Sequence, residues 1–234
     1  MGIGIAFAGG GIRGIAHVGV LKALEENNIK IEAIGGTSAG SIVAALYAMG
    51  YKPYYIYVLF KKYAQDIINI GNSSIVNGIG NFVKTKKIGI AGLNDGTLLE
   101  KMFNELATRK KMKVVADIKM PLVIPAVDIA EAKEYIFTNC APRNNVNDEY
   151  ITEISIGKAI RASSSFPAYF CPCEYKNHIF MDGGVLDNTP ILPLKKICKH
   201  KVMAVNFEAD PVEENCDVMD IIMKTLDIMG NKIA

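Results

Sequence analysis

Two glycine-rich turns near the start of the chain carry the residues best suited to chemistry. The stretch "GGGIRG" (9–14) spaces its glycines as G-x-G-x-x-G, and "GTSAG" (36–40) is G-x-S-x-G around Ser38. The first pattern is typical of a turn that binds a dinucleotide pyrophosphate at a helix N-terminus. The second is typical of a nucleophilic serine on a sharp turn between a strand and a helix. Beside such a serine, the first turn could instead present backbone amides to an oxyanion formed during acyl transfer.

The surroundings of the first turn favour the oxyanion interpretation. A dinucleotide site needs an acidic residue at the end of the second strand, where it binds the ribose hydroxyls. Here that strand ends in two glycines, and Glu32 lies at its beginning. We therefore expect the amides of Gly10 and Gly11 to point at a carbonyl carbon held over Ser38. A nucleotide-dependent oxidoreductase is the weaker alternative.

A serine nucleophile needs a proton acceptor, and histidine is the usual one. The chain has three histidines. His17 lies in the first predicted helix and is expected to be a hydrogen-bonded packing residue. His178 precedes a strand, and the direction in which its side chain points is open. His200 lies among lysines before the last strand, at the edge of the sheet opposite the two turns, so none of the three has a context that presents a base.

A better context for a base is the stretch "MDGGVLDNTP" (181–190). Asp182 follows an apolar strand and precedes Gly183 and Gly184, which permit close backbone approach. A carboxylate there could take the Ser38 proton directly, and partial burial would raise its pKa from about 3.9 toward neutrality. The structural alternative is an Asp-Gly turn stabilised by its own side chain. Asp187 is expected to cap the segment that follows it.

The elements that position these residues alternate between strand and helix. Because this order predicts a parallel sheet with right-handed crossovers, both turns should emerge at the same sheet edge. Residues 70–90 form a glycine-punctuated loop in this interpretation, and 1–234 form a single domain. The predicted strands are 3–8, 29–36, 120–129, 134–139, 178–184 and 201–208, and the predicted helices are 12–27, 39–51, the stretch after Pro53, 95–111, 155–165 and 216–229.

Composition excludes several classes of protein. A net charge of +2 with 21% charged residues argues against a nucleic-acid-binding domain, and no run approaches the roughly 18 apolar residues of a membrane span. Cys171 and Cys173 form a C-x-C pair, but no second pair lies at zinc spacing, so no metal site is expected. The five cysteines show no disulfide-like pattern, and the first residues do not have the pattern of a leader segment. Both features predict a cytoplasmic location.

Taken together, the motifs resemble those of the patatin-like phospholipases, a family of Ser–Asp acyl hydrolases. The connecting stretches "HVGVLKALEE", "PLVIPAVDI" and "AIRASSSFPAYF" are similar as well. The resemblance implies a three-layer α/β sandwich with a mainly parallel central sheet and helices on both faces. Its three blocks are the oxyanion glycines (Gly9, Gly10, Gly11, Ile12, Arg13, Gly14), the nucleophile elbow (Gly36, Thr37, Ser38, Ala39, Gly40) and the DGG motif (Asp182, Gly183, Gly184).

The resemblance also implies a function: a serine acyl hydrolase that cleaves fatty-acyl esters of phospholipids or lysophospholipids in lipid catabolism. Ser38 would then be the nucleophile and Asp182 the base, with Gly10 and Gly11 as oxyanion donors and no cofactor. For Arg13, contact with a lipid phosphate and an ion pair near the helix start both stay open. Two other functions are weaker alternatives, a lipid-binding protein with a relic site and a histidine-assisted thioesterase.

The tyrosine-rich stretch "YKPYYIYVLFKKY" (51–63) has three open interpretations. It could line an acyl channel, contact a membrane interface, or pack in the core. Tyrosine suits a membrane interface because it combines an apolar ring with a polar hydroxyl. We expect transient, peripheral contact with the inner face of a membrane and an acyl lipid as the partner.

Overall fold

The computed structural model describes residues 2–65, 94–142, 149–167 and 169–208, together with residues 221, 224, 225 and 228. The predicted loop 70–90 lies outside the described residues. So does most of the predicted helix 216–229, although its four described residues are helical.

In the described part of the chain, eight strands form one mixed sheet. Its main path runs in the order β5-β4-β3-β2-β1-β8, with β7 pairing beside β3 and with β6. The pairs β1–β2, β2–β3, β1–β8 and β4–β5 are parallel, whereas β3–β4, β3–β7 and β6–β7 are antiparallel. The strands are β1 (Gly2–Phe7), β2 (Lys30–Gly36), β3 (Leu122–Asp128), β4 (Lys133–Thr138), β5 (Tyr150–Ile151), β6 (Cys173–Tyr175), β7 (His178–Asp182) and β8 (Val202–Val205).

Helices cover both faces of this sheet. Because side chains alternate along a strand, Ile5 and Phe7 of β1 enter a large apolar cluster with one set of helices, and Ala6 faces the other side. There, Leu194 closes a smaller cluster. This arrangement confirms the predicted three-layer fold with a mainly parallel sheet. The helices are α1 (Ala16–Glu26), α2 (Ala39–Ala48), α3 (53–65), α4 (Thr97–Arg109) and α5 (Ile156–Ser163) on the first face, and α6 (Ile191–Ile197) on the second.

Several boundaries differ from the predicted ones for local reasons. The predicted helix 12–27 begins with a 3-10 turn over Gly11–Ile15, and its α-helical part starts only at Ala16. Gly11 enters this turn with a φ of 57°, a conformation that favours glycine. The strand predicted for 178–184 ends at Asp182, where another 3-10 turn starts. The strand predicted as buried at 201–208 is only Val202–Val205 and lies at the end of the main strand path, half-exposed. Among the described helices, none combines the length and the hydropathy needed to cross a bilayer.

Candidate active site

The turn between β2 and α2 holds Ser38 in a strained conformation. Ser38 has φ 51° and ψ −121°, a region that residues other than glycine rarely occupy. A Cβ on Gly36 would lie 2.2 Å from the Gly40 carbonyl oxygen, and one on Gly40 would lie 2.5 Å from the Phe7 carbonyl oxygen. Both flanking positions therefore require glycine, and the turn is as tight as the G-x-S-x-G pattern predicts.

Hydrogen bonds from local and from distant residues support this strained turn. The Ser38 amide donates to Ser163 Oγ on α5 at 3.1 Å, and the Ser38 carbonyl accepts from Ser41 Oγ at 2.6 Å. The preceding Thr37 donates its hydroxyl to the Asp187 carbonyl at 2.9 Å. Ser38 itself is half-buried, while both its neighbours in sequence are buried. The surrounding structure thus fixes the backbone and leaves the serine within reach of solvent.

The strand β7 brings Asp182 to the same place. The edge of β3 that does not pair with β4 pairs first with β2 and then with β7, which runs in the opposite direction. The carboxyl ends of β2 and β7 therefore face each other. Their following turns are in contact, since a Cβ on Gly183 would lie 3.1 Å from Thr37 Cγ2. The structure thus brings together the elbow and the DGG motif.

The Asp182 carboxyl is buried, with 2% of the residue exposed. Its Oδ1 accepts from the Gly184 amide at 2.8 Å, and its buried Oδ2 has no hydrogen-bond partner among the described residues. Burial raises the pKa of Asp182 to about 6, and the nearby Ser38 hydroxyl and Gly184 amide partly offset this rise. The Ser38 hydroxyl is therefore close enough to affect the pKa of Asp182, although the two side chains form no hydrogen bond of ordinary geometry. An unpaired carboxylate oxygen beside a hydroxyl is what proton abstraction requires.

The glycine turn lies against Ser38 on its other side. A Cβ on Gly9 would be 3.2 Å from Ser38 Cβ, and the Gly9 amide is held by the carbonyl and Oδ1 of Asn188, both at 3.1 Å. No described residue accepts a hydrogen bond from the Gly10 or Gly11 amide. Two unpaired amides at the start of a helical segment stabilise a negative charge that lies close to their N–H groups.

The rest of the glycine block packs this turn onto α2 and leaves an apolar side chain in solvent. A Cβ on Gly14 would lie 2.6 Å from Ala39 Cβ, so the turn and the elbow touch directly. Ile12 is exposed. The Arg13 guanidinium lies 5.2 Å from the ring centre of Phe207, beside the glycine turn. The phosphate contact of Arg13 stays a prediction.

The histidines lie elsewhere. His17 is fully buried, stacks on Phe7 and has Nε2 2.8 Å from the Ala8 carbonyl oxygen; burial lowers its pKa to about 4. His178 Nδ1 bonds the Asp128 carboxylate at 2.7 Å. His200 lies near Glu32, whose pKa is lowered chiefly by Lys30 and to a smaller extent by His200. None of these three imidazoles hydrogen-bonds Ser38.

Two further carboxyl groups, those of Asp187 and Glu134, interact with each other near the elbow. Burial raises the pKa of Asp187 to about 6, although it accepts a hydrogen bond from the Thr189 amide. Burial, together with the charge of Asp187, raises the pKa of Glu134 to about 7. Since the Asp187 carbonyl holds Thr37, this residue supports the turn through its backbone.

One group of side chains in the described residues has donor atoms close enough for a metal ion. These donors belong to Asp128, Glu131 and His178 and lie within 4.8 Å of one another. Each is already hydrogen-bonded: His178 to Asp128, and Glu131 to the Tyr135 hydroxyl at 2.7 Å. Hydrogen bonding within the protein accounts for this cluster.

Comparison with known proteins identifies the family. The sequence model of patatin-like phospholipases matches residues 5–195, which is most of the chain. The chain belongs to the patatin-like phospholipase family. The uncharacterized protein YqhO of Bacillus subtilis is 29% identical over 212 residues, which cover 86% of this chain and 69% of YqhO.

Other patatin-like relatives are longer. Lysophospholipase NTE1 of Candida glabrata is 31% identical over 207 residues, which cover 87% of this chain but only 10% of that protein. The crystal structure of VipD from Legionella pneumophila superposes with a TM-score of 0.51 and 17% identity, covering 86% of this chain and 49% of VipD. The likeness to VipD shows the fold alone.

Three site residues of this patatin-like domain were missed by sequence reasoning. Ser163 is one of three consecutive serines, and nothing in "ASSS" shows which of them reaches the elbow. Asn188 follows Asp187, and a single amide side chain in a turn carries no signal of a distant partner. Tyr63 lies at the end of α3; burial raises its pKa, and the charge of Asp182 raises it further, so its hydroxyl lies near the carboxyl.

Proposed function

We propose that this protein is a lipid acyl hydrolase that cleaves fatty-acyl esters of phospholipids or lysophospholipids. Family membership supports the reaction class, and relatives named lysophospholipase and probable lipid hydrolase support the substrate class. The observation that carries the proposal is the Ser38 hydroxyl near the buried Asp182 carboxyl, whose Oδ2 has no hydrogen-bond partner among the described residues. The unpaired amides of Gly10 and Gly11 adjoin the same serine.

In the acylation step, Asp182 takes the proton from Ser38 Oγ as this oxygen attacks the ester carbonyl carbon. The carbonyl electron pair moves onto its oxygen, and the Gly10 and Gly11 amides donate hydrogen bonds to the resulting oxyanion. One such donor stabilises the transition state by about 2.7–4 kcal/mol in other enzymes. The oxyanion then collapses, the ester C–O bond breaks, and Asp182 returns its proton to the departing alcohol.

Deacylation reverses these roles. Asp182 takes a proton from water, and the hydroxide oxygen attacks the acyl-Ser38 carbonyl. The second oxyanion collapses with release of the fatty acid, and Ser38 regains its proton from Asp182. A pKa of about 6 keeps the carboxyl ionised at neutral pH yet basic enough to accept a proton in the transition state.

A substrate panel tests the proposal. Fatty-acid release from a phospholipid, a lysophospholipid and a neutral ester is measured for wild type, Ser38→Ala and Asp182→Asn. We expect turnover of at least one phosphate-bearing lipid, and a loss of about a thousandfold or more in both variants. A fluorophosphonate probe should label wild type and spare Ser38→Ala.

The matched control for this panel is Ser164→Ala, which removes a buried hydroxyl without a partner among the described residues. It should keep both turnover and labelling. Normal turnover by Ser38→Ala, or a wild type inactive on all three substrates, would contradict the proposal.

A further inference from the structure

The outer surface of α3 is unusually apolar for an exposed helix. Four of its side chains are large and exposed, and the relative exposure of Tyr54 reaches 72% and that of Tyr55 61%. Positions three, four and seven apart share one side of a helix, so these residues form a continuous surface with two exposed lysines. We define the α3 outer face as Tyr54, Tyr55, Tyr57, Val58, Lys61 and Lys62.

The charge of this face has one sign. Helix α3 contains no aspartate or glutamate between residues 53 and 65, and no described carboxylate forms an ion pair with Lys61 or Lys62. Lys52, just before the helix, differs because it pairs with Glu25 at 3.4 Å. An exposed face with tyrosines, two lysines and no acid of its own complements a lipid surface whose headgroups are anionic and whose interior is apolar.

The inner face of the same helix reaches the candidate active site. Phe60 is fully buried, and its ring lies 3.1 Å from the position of a Cβ on Gly14, in the glycine turn. Tyr63 lies near Asp182, and the charge of Asp182 contributes to the raised pKa of the Tyr63 hydroxyl. A surface bound to the outer face is therefore about one helix diameter, roughly 10 Å, from the glycine turn that adjoins the elbow.

A lipid surface fits this face better than another protein does. Tyrosine is enriched at both kinds of interface, but lysine is depleted from the centre of protein–protein interfaces. At a bilayer surface, tyrosine rings enter the headgroup level while lysine amines extend to lipid phosphates. Helices that lie in the plane of a membrane have such an apolar face with a basic margin.

We propose that the α3 outer face docks on an anionic lipid surface and holds the active site against it. The inference deepens the proposed function by naming an aggregated, negatively charged lipid as the physical form of the substrate. Docking itself requires no catalysis, so the two proposals can fail separately.

Vesicle binding tests the docking surface. The Ser38→Ala chain is used so that lipids stay intact, with vesicles of phosphatidylcholine alone or with about 30% phosphatidylglycerol, in low and high salt. We expect binding to the anionic vesicles that weakens with salt. Lys61→Gln with Lys62→Gln should lower that affinity by about 30-fold, since each lysine contributes about fivefold near an anionic surface. Tyr54→Ser with Tyr55→Ser should lower it by roughly tenfold or more.

The matched control lies on the opposite layer of the fold. Leu192→Ser with Lys195→Gln removes one exposed apolar and one basic side chain from α6 and should leave vesicle binding unchanged. Thermal unfolding establishes that every variant is folded. An absence of vesicle binding at both compositions, or full binding by both α3 variants, overturns the inference.

A soluble, monomeric short-chain ester separates this outcome from the proposed function. Wild type that hydrolyses the ester and ignores vesicles refutes docking alone. Wild type that binds vesicles and hydrolyses no ester or lipid refutes the hydrolase proposal alone.

Discussion

Ser38 lies two residues after β2 and Asp182 is the last residue of β7, and the carboxyl ends of these strands meet head-on along one edge of β3. The strand before Ser38 is parallel to β3, and the strand before Asp182 is antiparallel to it. The junction is tight, because a Cβ on Gly183 would lie 2.4 Å from the Pro125 carbonyl oxygen at the centre of β3. Because β7 runs antiparallel to β3 in a mainly parallel sheet, Asp182 reaches the neighbourhood of Ser38 from the end of a strand and not from a long loop.

Activity should depend on pH through Asp182. The proposed base must be ionised, and its pKa is raised to about 6, so kcat/KM should rise with pH through an apparent pKa near that value and then level off. The measurement is the pH–rate profile on a soluble ester between about pH 5 and 8. A profile that stays flat as the pH falls to about 5 would contradict the role of this carboxyl.

The same carboxyl should cost stability at neutral pH. Its folded pKa lies above the unfolded value of 3.8, so the folded state binds its proton more tightly, and that advantage is lost as the pH rises from about 4 through about 6. A shift of about two units corresponds to roughly 3 kcal/mol at neutral pH. Asp182→Asn should therefore raise Tm at about pH 7.5 and change it much less at about pH 4.5. Equal shifts at both pH values would show that the charge is not responsible.

Two glycine substitutions should have opposite effects. Gly36→Ala places a Cβ 2.2 Å from the Gly40 carbonyl oxygen and should destabilise the protein by about 1–3 kcal/mol or more. Gly19→Ala lies in the exposed middle of α1 with nothing within 4 Å, so it should stabilise by up to about 1 kcal/mol. Urea unfolding measures both, and a neutral Gly36→Ala would mean that the elbow tolerates a side chain and is not tightly packed.

Two adjacent serines at the end of α5, Ser163 and Ser164, should differ in their effect on kcat. Ser163→Ala leaves the Ser38 amide without its acceptor, an unmade hydrogen bond that costs about 1–3 kcal/mol, so kcat on a soluble ester should fall about tenfold. Ser164→Ala removes a buried hydroxyl with no partner among the described residues and should change kcat little. If the two variants have the same kcat, the Ser163 contact does not position the elbow.

The features that the sequence predicted well are those set by local geometry. A strand followed by "GTSAG" predicts a tight turn, and the structure has that turn. Both ends of the motif must be glycine, because a Cβ at Gly36 would clash with Gly40 and a Cβ at Gly40 would clash with Phe7. Helix α3 after Pro53, and the strand β2 and helix α2 on either side of the elbow, were likewise predicted from apolar patterning.

The features that escaped prediction depend on distant partners. The reversed direction of β7 follows from its pairing with β3, and five-residue strands carry no mark of direction. The Ser163 contact joins residues 125 positions apart, so it depends on how α5 crosses the sheet. Strands as short as β5 and β6 gain their stability from neighbours rather than from their own sequence.

The head-on meeting of β2 and β7 also bears on biosynthesis. Ser38 and Asp182, which this meeting brings together, are 144 positions apart (182 − 38), so they come together only after most of the chain has been translated. A nascent polypeptide released before that point carries the serine without its carboxylate. On the proposed mechanism, such a fragment, whether stalled on the ribosome or cut by a protease, would hydrolyse no lipid.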